Sequence, residues 1–161
     1  MSRGKEAGPP EGARVVAQNR KARHDYQVEE RVEAGLVLSG SEVKSLREGN
    51  AALSDAYGMV RGSEVFLVNC RIGEYRPAAA QGHAPLRDRK LLLSRAEIER
   101  LRSKVERAGY TLVPLSIYFR GSWAKVELAL ARGRTRGDRR DAIAEREMRR
   151  EIDRALSRRR R

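Results

Sequence analysis

The sequence predicts a mainly β fold, a small antiparallel β-barrel with flanking α-helices that is followed by a basic C-terminal tail. Three observations lead to this fold class. Most apolar segments alternate with a period of two residues, most connections are too short for the crossovers that parallel strands need, and the last thirty residues contain no aromatic residue. Because closure removes sheet edges, a barrel of five or six strands is preferred to a split sheet packed on helices.

Composition divides the 161 residues into three segments. Residues 1–13 are rich in Gly and Pro, lack a periodic apolar pattern, and are predicted to be a disordered leader. Residues 14–131 contain every aromatic residue and are predicted to form the β domain, which is long enough for one small core. Residues 132–161 hold 13 arginines against six acidic residues and form the predicted tail.

Strands are predicted where Val, Leu, Ile and aromatic residues recur at alternate positions. Gly62 and Ser63 are expected to turn one hairpin, and residues 120–122 a second one. Pro114 has no backbone donor, so we expect it at a strand edge or a β-bulge. The predicted strands cover residues 28–38, 53–61, 64–72, 89–93, 113–119 and 126–130.

Two helices are predicted inside the domain. Ser41 is expected to open the first helix, which ends at Gly49. Ser94 and Glu97 have the spacing of a capping box at the start of the second helix, which Gly109 ends.

The charge of the chain indicates a polyanionic partner. The formal net charge is +13 and the pI about 10.8. No apolar run approaches the roughly 18 residues of a membrane span, and the N-terminus has no apolar signal core. These features argue against integral membrane and secreted proteins, so the cytoplasm is the expected compartment. Cys70 is the single cysteine, which excludes an intrachain disulfide.

Patterns typical of catalytic and metal sites are missing from the sequence. His24 and His83 are far apart and lack metal-ligand spacing, so solvated loop histidines are preferred to a metal site. There is no Gly-rich phosphate-binding motif and no GxSxG nucleophile motif. A non-catalytic protein without metal or cofactor is therefore expected.

A segment of cations and flat rings precedes the first predicted strand. RNA-binding surfaces combine cations that neutralise phosphates with rings that stack on unpaired bases. A charged loop whose tyrosine packs on the barrel explains the same residues, and the sequence leaves the two interpretations even. The candidate RNA-binding residues here are Asn19, Arg20, Lys21, Arg23, His24 and Tyr26.

More candidates follow along the chain. Lys44 lies on the outward face of the first predicted helix, where most cations are merely solvated. Arg89 and Lys90 precede three leucines, and strand alternation points Leu92 away from its two neighbours. Leu92 is therefore either packed under a helix, which is the safer interpretation, or part of a binding surface.

The second predicted hairpin carries two further candidates. Trp123 either stacks on a base or, as is more common for a hairpin Trp, covers the core. Lys125 must face outward if the alternate apolar residues around it face inward. The inward residues are expected to be Val113, Leu115, Ile117 and Phe119 in one strand and Val126, Leu128 and Leu130 in the next.

The tail begins at Gly133, a candidate hinge. Arginines at near-alternate positions suit an extended segment along a phosphate backbone: Arg132, Arg134, Arg136, Arg139 and Arg140. From Asp141 onward helix formers dominate, with Met148, Ile152 and Leu156 four residues apart. Since one apolar stripe is marginal for an isolated helix in water, we predict a tail that is disordered when free and helical when bound. The alternative is a permanently disordered arm.

Five sequence blocks in a fixed order are more specific than any single motif. They are NRKARHDY at 19–26, VEAGLVLSGSEVKSLREG at 32–49, RKLLLSRAEI at 89–98, GYTLVPLSIYF at 109–119 and WAKVELALARG at 123–133. Across about residues 14–150 the chain resembles the SsrA-binding protein (small protein B, SmpB) family. The resemblance implies an oligonucleotide-binding-type barrel and a partner, transfer-messenger RNA, that is bound through its tRNA-like domain. It also implies delivery of that RNA to stalled ribosomes in trans-translation, and we expect a monomer.

The resemblance also implies roles for individual residues. Glu33, Leu92 and Lys125 match RNA contacts on the barrel, and the tail matches an arm that occupies the empty decoding centre and mRNA channel. Gly137 departs from the family, which often has a ring there; glycine cannot stack, so that role is not transferred. The candidate ribosome-binding residues of the tail are Gly133, Arg134, Arg136, Asp138, Arg139, Arg140, Ala155 and Leu156.

Two other functions fit parts of the sequence. A ribosomal protein or assembly factor would share the barrel and the basic arm but would bind ribosomal RNA permanently. An RNA-modifying enzyme would need a cofactor site or a positioned acid and base, which we do not find in the sequence.

Overall fold

The described chain folds mainly into β-strands, with three helices between strands and a fourth after the last strand. The computed structural model describes residues 9–75, 82–133 and 136–159. Its helices are α1 (Arg20–Asp25), α2 (Gly40–Arg47), α3 (Arg95–Ala108) and α4 (Arg136–Arg159). Its strands are β1 (Arg14–Gln18), β2 (Tyr26–Leu36), β3 (Ala51–Ala52), β4 (Tyr57–Arg61), β5 (Glu64–Val68), β6 (Arg71–Ile72), β7 (Arg89–Leu92), β8 (Thr111–Arg120) and β9 (Trp123–Gly133).

The antiparallel sheet closes on itself. Its strand order is β1-β8-β4-β5-β7-β2-β9, and β9 pairs back onto β8. Six strands therefore form a ring, with β1 added to β8 from outside, and β3 and β6 form a separate small sheet. The predicted mainly β barrel with flanking helices is confirmed.

Local signals located the hairpins correctly. β4 and β5 pair across Gly62 and Ser63, and β8 and β9 pair across the second predicted turn. The register of β8 shifts between Pro114 and Ser116. The missing N–H of Pro114 is thus accommodated at a bulge, as expected.

The same bulge overturns one expectation about the core. Ile117 and Phe119 lie in the main core inside the barrel, whereas Val113 and Leu115 pack in a second cluster. An extra residue in a strand moves all later side chains to the other face, so these four residues do not share one face. Val126, Leu128 and Leu130 do lie in the main core as predicted.

The helices begin where side chains cap them. The capping box of Ser94 and Glu97 is present, and α3 ends at Gly109 with a φ of 69°. In α2 the cap is Ser39 rather than Ser41, because Ser39 is the serine that stands three residues before Glu42. Helix α1 was not predicted, although Asn19 is a good N-cap residue and accepts a hydrogen bond from the Ala22 N–H.

Candidate nucleic-acid interface

A row of three residues crosses β7, β2 and β9 on the outer face of the barrel. Gly35 lies opposite Leu92 on one side and opposite Lys125 on the other. Directly opposed residues point to the same side of a sheet. Since the strand neighbours Ala34 and Val126 lie in the main core, the row points away from it.

The glycine allows this row to form. A Cβ on Gly35 would lie 3.2 Å from the Leu92 Cβ and 3.4 Å from its Cδ1. Leu92 therefore lies against the bare backbone of β2, between its own strand and Lys125.

The side chains around this row leave a large apolar area exposed. Leu92 is 55 % exposed and Trp123 is 73 % exposed. Trp123 and Lys90 each lie two residues from a member of the row on the same strand, so they share its face. Leu92 is thus not buried under a helix, and Trp123 does not cover the core. We call Leu92, Lys125, Trp123, Lys90 and Glu33 the outer patch.

Glu33 lies on the same face, two residues before Gly35 on β2. The Tyr118 hydroxyl donates a hydrogen bond to Glu33 Oε2, and Arg120 Nη1 donates to Oε1 over 3.1 Å. Burial and the hydrogen bond to Glu33 raise the pKa of Tyr118 above its ordinary value, so the phenol remains a donor at neutral pH. Tyr118 and Arg120 carry no sequence signal for this role, because only the sheet register brings them to Glu33.

The segment NRKARHDY divides between buried and exposed roles. Arg20, Lys21 and His24 are exposed on α1, and Tyr26 is half-buried. The backbone of Arg23 belongs to α1, while its side chain lies outside the described part of the structure.

Asn19 is a structural residue, which corrects its prediction as an RNA contact. It is 6 % exposed, and its amide donates to the carbonyls of Leu53 and Pro114. Its side chain also caps α1, so its polar atoms are satisfied inside the protein.

The exposed cations of α1 do not adjoin the outer patch. Tyr26 lies opposite Gly133, whereas Gly35 lies opposite Lys125, at the other end of the same strand pair. The two positions are nine residues apart on β2, roughly 30 Å of extended chain. The segment 19–26 and the outer patch are therefore two separate regions of the surface, and a role of the segment in RNA binding stays a prediction.

Arg89 is also corrected from a surface residue to a core residue. It is 0 % exposed and donates to Glu42 and to the carbonyls of Cys70, at 2.6 Å, and Pro85, at 3.1 Å. The alternation of β7 places Arg89 and Leu91 inward and the exposed Lys90 and Leu92 outward.

Glu42 is the buried partner of this arginine. Arg87 Nη2 lies 2.5 Å from Glu42 Oε1, and the Ser39 N–H donates to the same oxygen over 2.9 Å. Burial opposes ionisation of Glu42, but the hydrogen bonds from Arg87, Ser39 and Arg89 outweigh it and lower its pKa to about 2. The carboxylate is therefore a structural anion that ties α2 to β7.

Both histidines lie within hydrogen-bond distance of neighbouring groups. His83 is half-buried, with Nδ1 2.8 Å from Ser41 Oγ and Nε2 2.9 Å from the Ile72 carbonyl, so it is not a solvated loop histidine. His24 is exposed, with Nδ1 3.1 Å from the Asp25 carboxylate. Among the described residues no group of three His, Cys, Asp or Glu side chains is arranged to hold a metal ion.

Burial raises the pKa of the Cys70 thiol to about 11 and keeps it protonated.

Lys44 lies on α2, outside the outer patch. Its side chain is exposed, and its ammonium lies 5.5 Å from the centre of the Tyr75 ring. The structure places it on the helix surface, as predicted, without joining it to the outer patch.

The tail is helical over more of its length than predicted. Gly133 is the last residue of β9 and lies opposite Tyr26, so the strand extends beyond its predicted end at residue 130 and reaches the candidate hinge. Arg134 lies outside the described residues. The backbone of Arg136, Asp138, Arg139 and Arg140 belongs to α4, so the extended segment predicted up to Arg140 is wrong from Arg136 onward. The carbonyl groups of this first turn accept the first hydrogen bonds of the helix.

Helix α4 carries a solvent-facing apolar stripe. Met148, Ile152 and Leu156 are all more than half exposed, and Ala155 is exposed beside them. These residues lie one turn apart on α4, as their spacing indicated, whereas a tail that is disordered when free and helical when bound stays a prediction. In the described part of the chain, no helix combines the length and the apolar composition that crossing a membrane requires.

Comparison with known proteins decides the family. The model of the SmpB protein family matches residues 16–158. The chain belongs to the SmpB family. The SsrA-binding protein of Anaeromyxobacter sp. (strain K) is 68 % identical over 161 residues, covering 99 % of both chains. That of Myxococcus xanthus (strain DK1622) is 56 % identical over 155 residues, covering 96 % of both.

A solved structure of an SmpB relative agrees with this assignment. It is described as "tmRNA-SmpB: a journey to the center of the bacterial ribosome", with a TM-score of 0.64 and 44 % identity. The match covers 78 % of this chain and 92 % of the other.

Proposed function

We propose that this SmpB-family chain is a ribosome-rescue factor. It binds the tRNA-like domain of transfer-messenger RNA through the outer patch and delivers that RNA to stalled ribosomes in trans-translation. The tail then occupies the empty decoding centre and mRNA channel. This rescue takes place in the cytoplasm, and the role of the chain in it is RNA binding rather than catalysis.

One observation carries the proposal: Leu92 and Lys125 flank Gly35 on an exposed face. Leucine side chains in β-strands are usually buried, yet Leu92 and Trp123 are exposed to solvent beside cations. Apolar side chains and rings stack on unpaired bases, while cations neutralise phosphates. The names of the relatives and of the solved structure support the same partner.

Competitive binding tests the choice of RNA. The full chain is titrated with a transfer-messenger RNA tRNA-like domain at moderate salt, with ordinary tRNA and a matched-length ribosomal RNA hairpin as competitors. Trp123 is the single tryptophan, so its emission reports binding at the outer patch. We expect clear preference for the tRNA-like domain. Equal binding of all three RNAs would mean that the +13 charge selects them, and a ribosomal protein or assembly factor would become the better assignment.

Truncation tests the division into barrel and tail. Cutting after Gly133 keeps β9 whole, because Gly133 is its last paired residue. We expect affinity for the tRNA-like domain to stay nearly intact and tagging on stalled ribosomes to be lost. Loss of RNA binding in the truncated chain would contradict the two-module proposal.

A further inference from the structure

Tyr118 points away from the main core and is nevertheless buried. Its neighbours Ile117 and Phe119 lie in the main core, so strand alternation directs Tyr118 to the outer face. It lies opposite Lys125 on β9 and is only 2 % exposed. Its hydroxyl reaches Glu33 on β2, two strands away, roughly 10 Å across the sheet. The phenol thus spans β9 beneath the outer patch.

Two donors hold the two oxygens of one carboxylate. Tyr118 donates to Glu33 Oε2 and Arg120 donates to Oε1. Each carboxylate oxygen accepts about two hydrogen bonds, and the Glu33 side chain is 33 % exposed. Acceptor capacity therefore remains on the solvent side, in an orientation that the two donors determine.

A carboxylate at this position does not suit phosphate binding. It repels a phosphate, whereas it can accept hydrogen bonds from N–H groups on the edge of a base. Its neighbours on the face, Leu92 and Trp123, offer the apolar surface that an unstacked base needs.

We propose that Tyr118 and Arg120 are positioning residues that hold Glu33 as a fixed acceptor for the N–H edge of an unpaired RNA base at the outer patch. The inference rests on the proposed function and refines it. In this arrangement Lys125 neutralises a phosphate of the RNA backbone. Leu92 and Trp123 contact the unpaired base, and Glu33 accepts a hydrogen bond from the N–H edge of that base.

A double-mutant cycle on the full chain tests this role, with the tRNA-like domain of transfer-messenger RNA as the probe. Tyr118→Phe removes only the hydroxyl and keeps the buried ring. We expect it to lower the affinity about tenfold, and Glu33→Gln or Glu33→Ala to lower it at least as much. In the Glu33→Ala background, Tyr118→Phe should change affinity by less than about twofold, because nothing remains to be positioned. The salt dependence of binding should not change in Tyr118→Phe, since no phosphate contact is lost.

The chain offers a control tyrosine directly before the same strand. The Tyr110 hydroxyl is hydrogen-bonded to Glu29, which lies on β2 away from the outer row. Tyr110→Phe removes the same kind of bond and should leave RNA affinity unchanged. Urea unfolding of each variant confirms that the barrel is retained.

The outcomes separate this inference from the proposed function. An equal loss from Tyr118→Phe with and without Glu33 would mean that Tyr118 only supports the barrel, which would overturn the inference. Full affinity in Tyr118→Phe, with a loss in Glu33→Ala, would overturn it as well and leave the proposed function standing. Full affinity in both Glu33→Ala and Lys125→Ala would instead remove the outer patch as the RNA site.

Discussion

Glu42 and Arg89 form an ion pair in which neither side chain has exposed surface. The two residues are 47 positions apart in sequence and join α2 to β7. Arg89 also donates to the carbonyl of Cys70, which follows β5, so the pair links three parts of the barrel.

Removing the charge of Glu42 is expected to destabilise the fold strongly. Glu42→Gln keeps the size of the side chain but leaves the Arg89 guanidinium buried without a counter-charge. We expect the free energy of unfolding to fall by about 3–5 kcal/mol, measured by urea denaturation. Glu64→Gln is the control, because Glu64 pairs with Lys90 on the surface, where such a pair contributes at most about 1 kcal/mol. Equal small losses in both variants would show that the buried pair does not stabilise the fold.

The carboxylate of Glu42 is also expected to make the free energy of unfolding depend on pH. The pKa of Glu42 is lowered from 4.5 to about 2 in the folded protein. Its contribution is therefore complete above about pH 4.5 and is lost as the pH falls through about 2. The difference in unfolding free energy between the wild-type chain and Glu42→Gln should shrink by roughly 3 kcal/mol over that range. Urea titrations at pH 6, 4 and 2.5 measure it, and a constant difference would contradict the assigned pKa.

Lys125→Ala is expected to weaken binding of the tRNA-like domain. Loss of one phosphate contact should reduce the slope of log affinity against log salt by roughly one unit. Filter binding at several salt concentrations measures both quantities. Lys104→Ala is the control, because Lys104 lies on α3 and pairs with Glu29. An unchanged slope and affinity in Lys125→Ala would remove Lys125 from the interface.

Gly58→Ala is expected to loosen the barrel where β4 meets β8. Gly58 lies opposite Leu112, and an added Cβ would come within 2.7 Å of the Leu112 Cβ. Such overpacking costs about 1–3 kcal/mol of unfolding free energy. Gly40→Ala adds the same atom at the start of α2 with nothing within 4 Å, and should be neutral or slightly stabilising. If the two alanines had the same effect, the close approach of β4 and β8 would be disproved.

Local physical chemistry made much of the fold predictable from sequence. Alternation located the strands of the β8–β9 hairpin, the capping box of Ser94 and Glu97 located α3, and the missing N–H of Pro114 located the bulge. Each of these signals depends on residues within a few positions of one another. The family resemblance added Glu33, Leu92 and Lys125, whose roles in RNA binding stay predictions.

The sequence by itself determined the mainly β architecture, its hairpins and the excess of positive charge. Only the tertiary structure decided which face each candidate occupies. Alternation left Leu92 either buried or exposed, and the register with Gly35 exposes it. Charge made Arg89 a surface candidate, whereas Glu42 holds it in the core. Tyr118 meets Glu33 across 85 positions of sequence. Such contacts arise when the sheet closes and sets its register, and no local pattern encodes which distant residue then lies opposite.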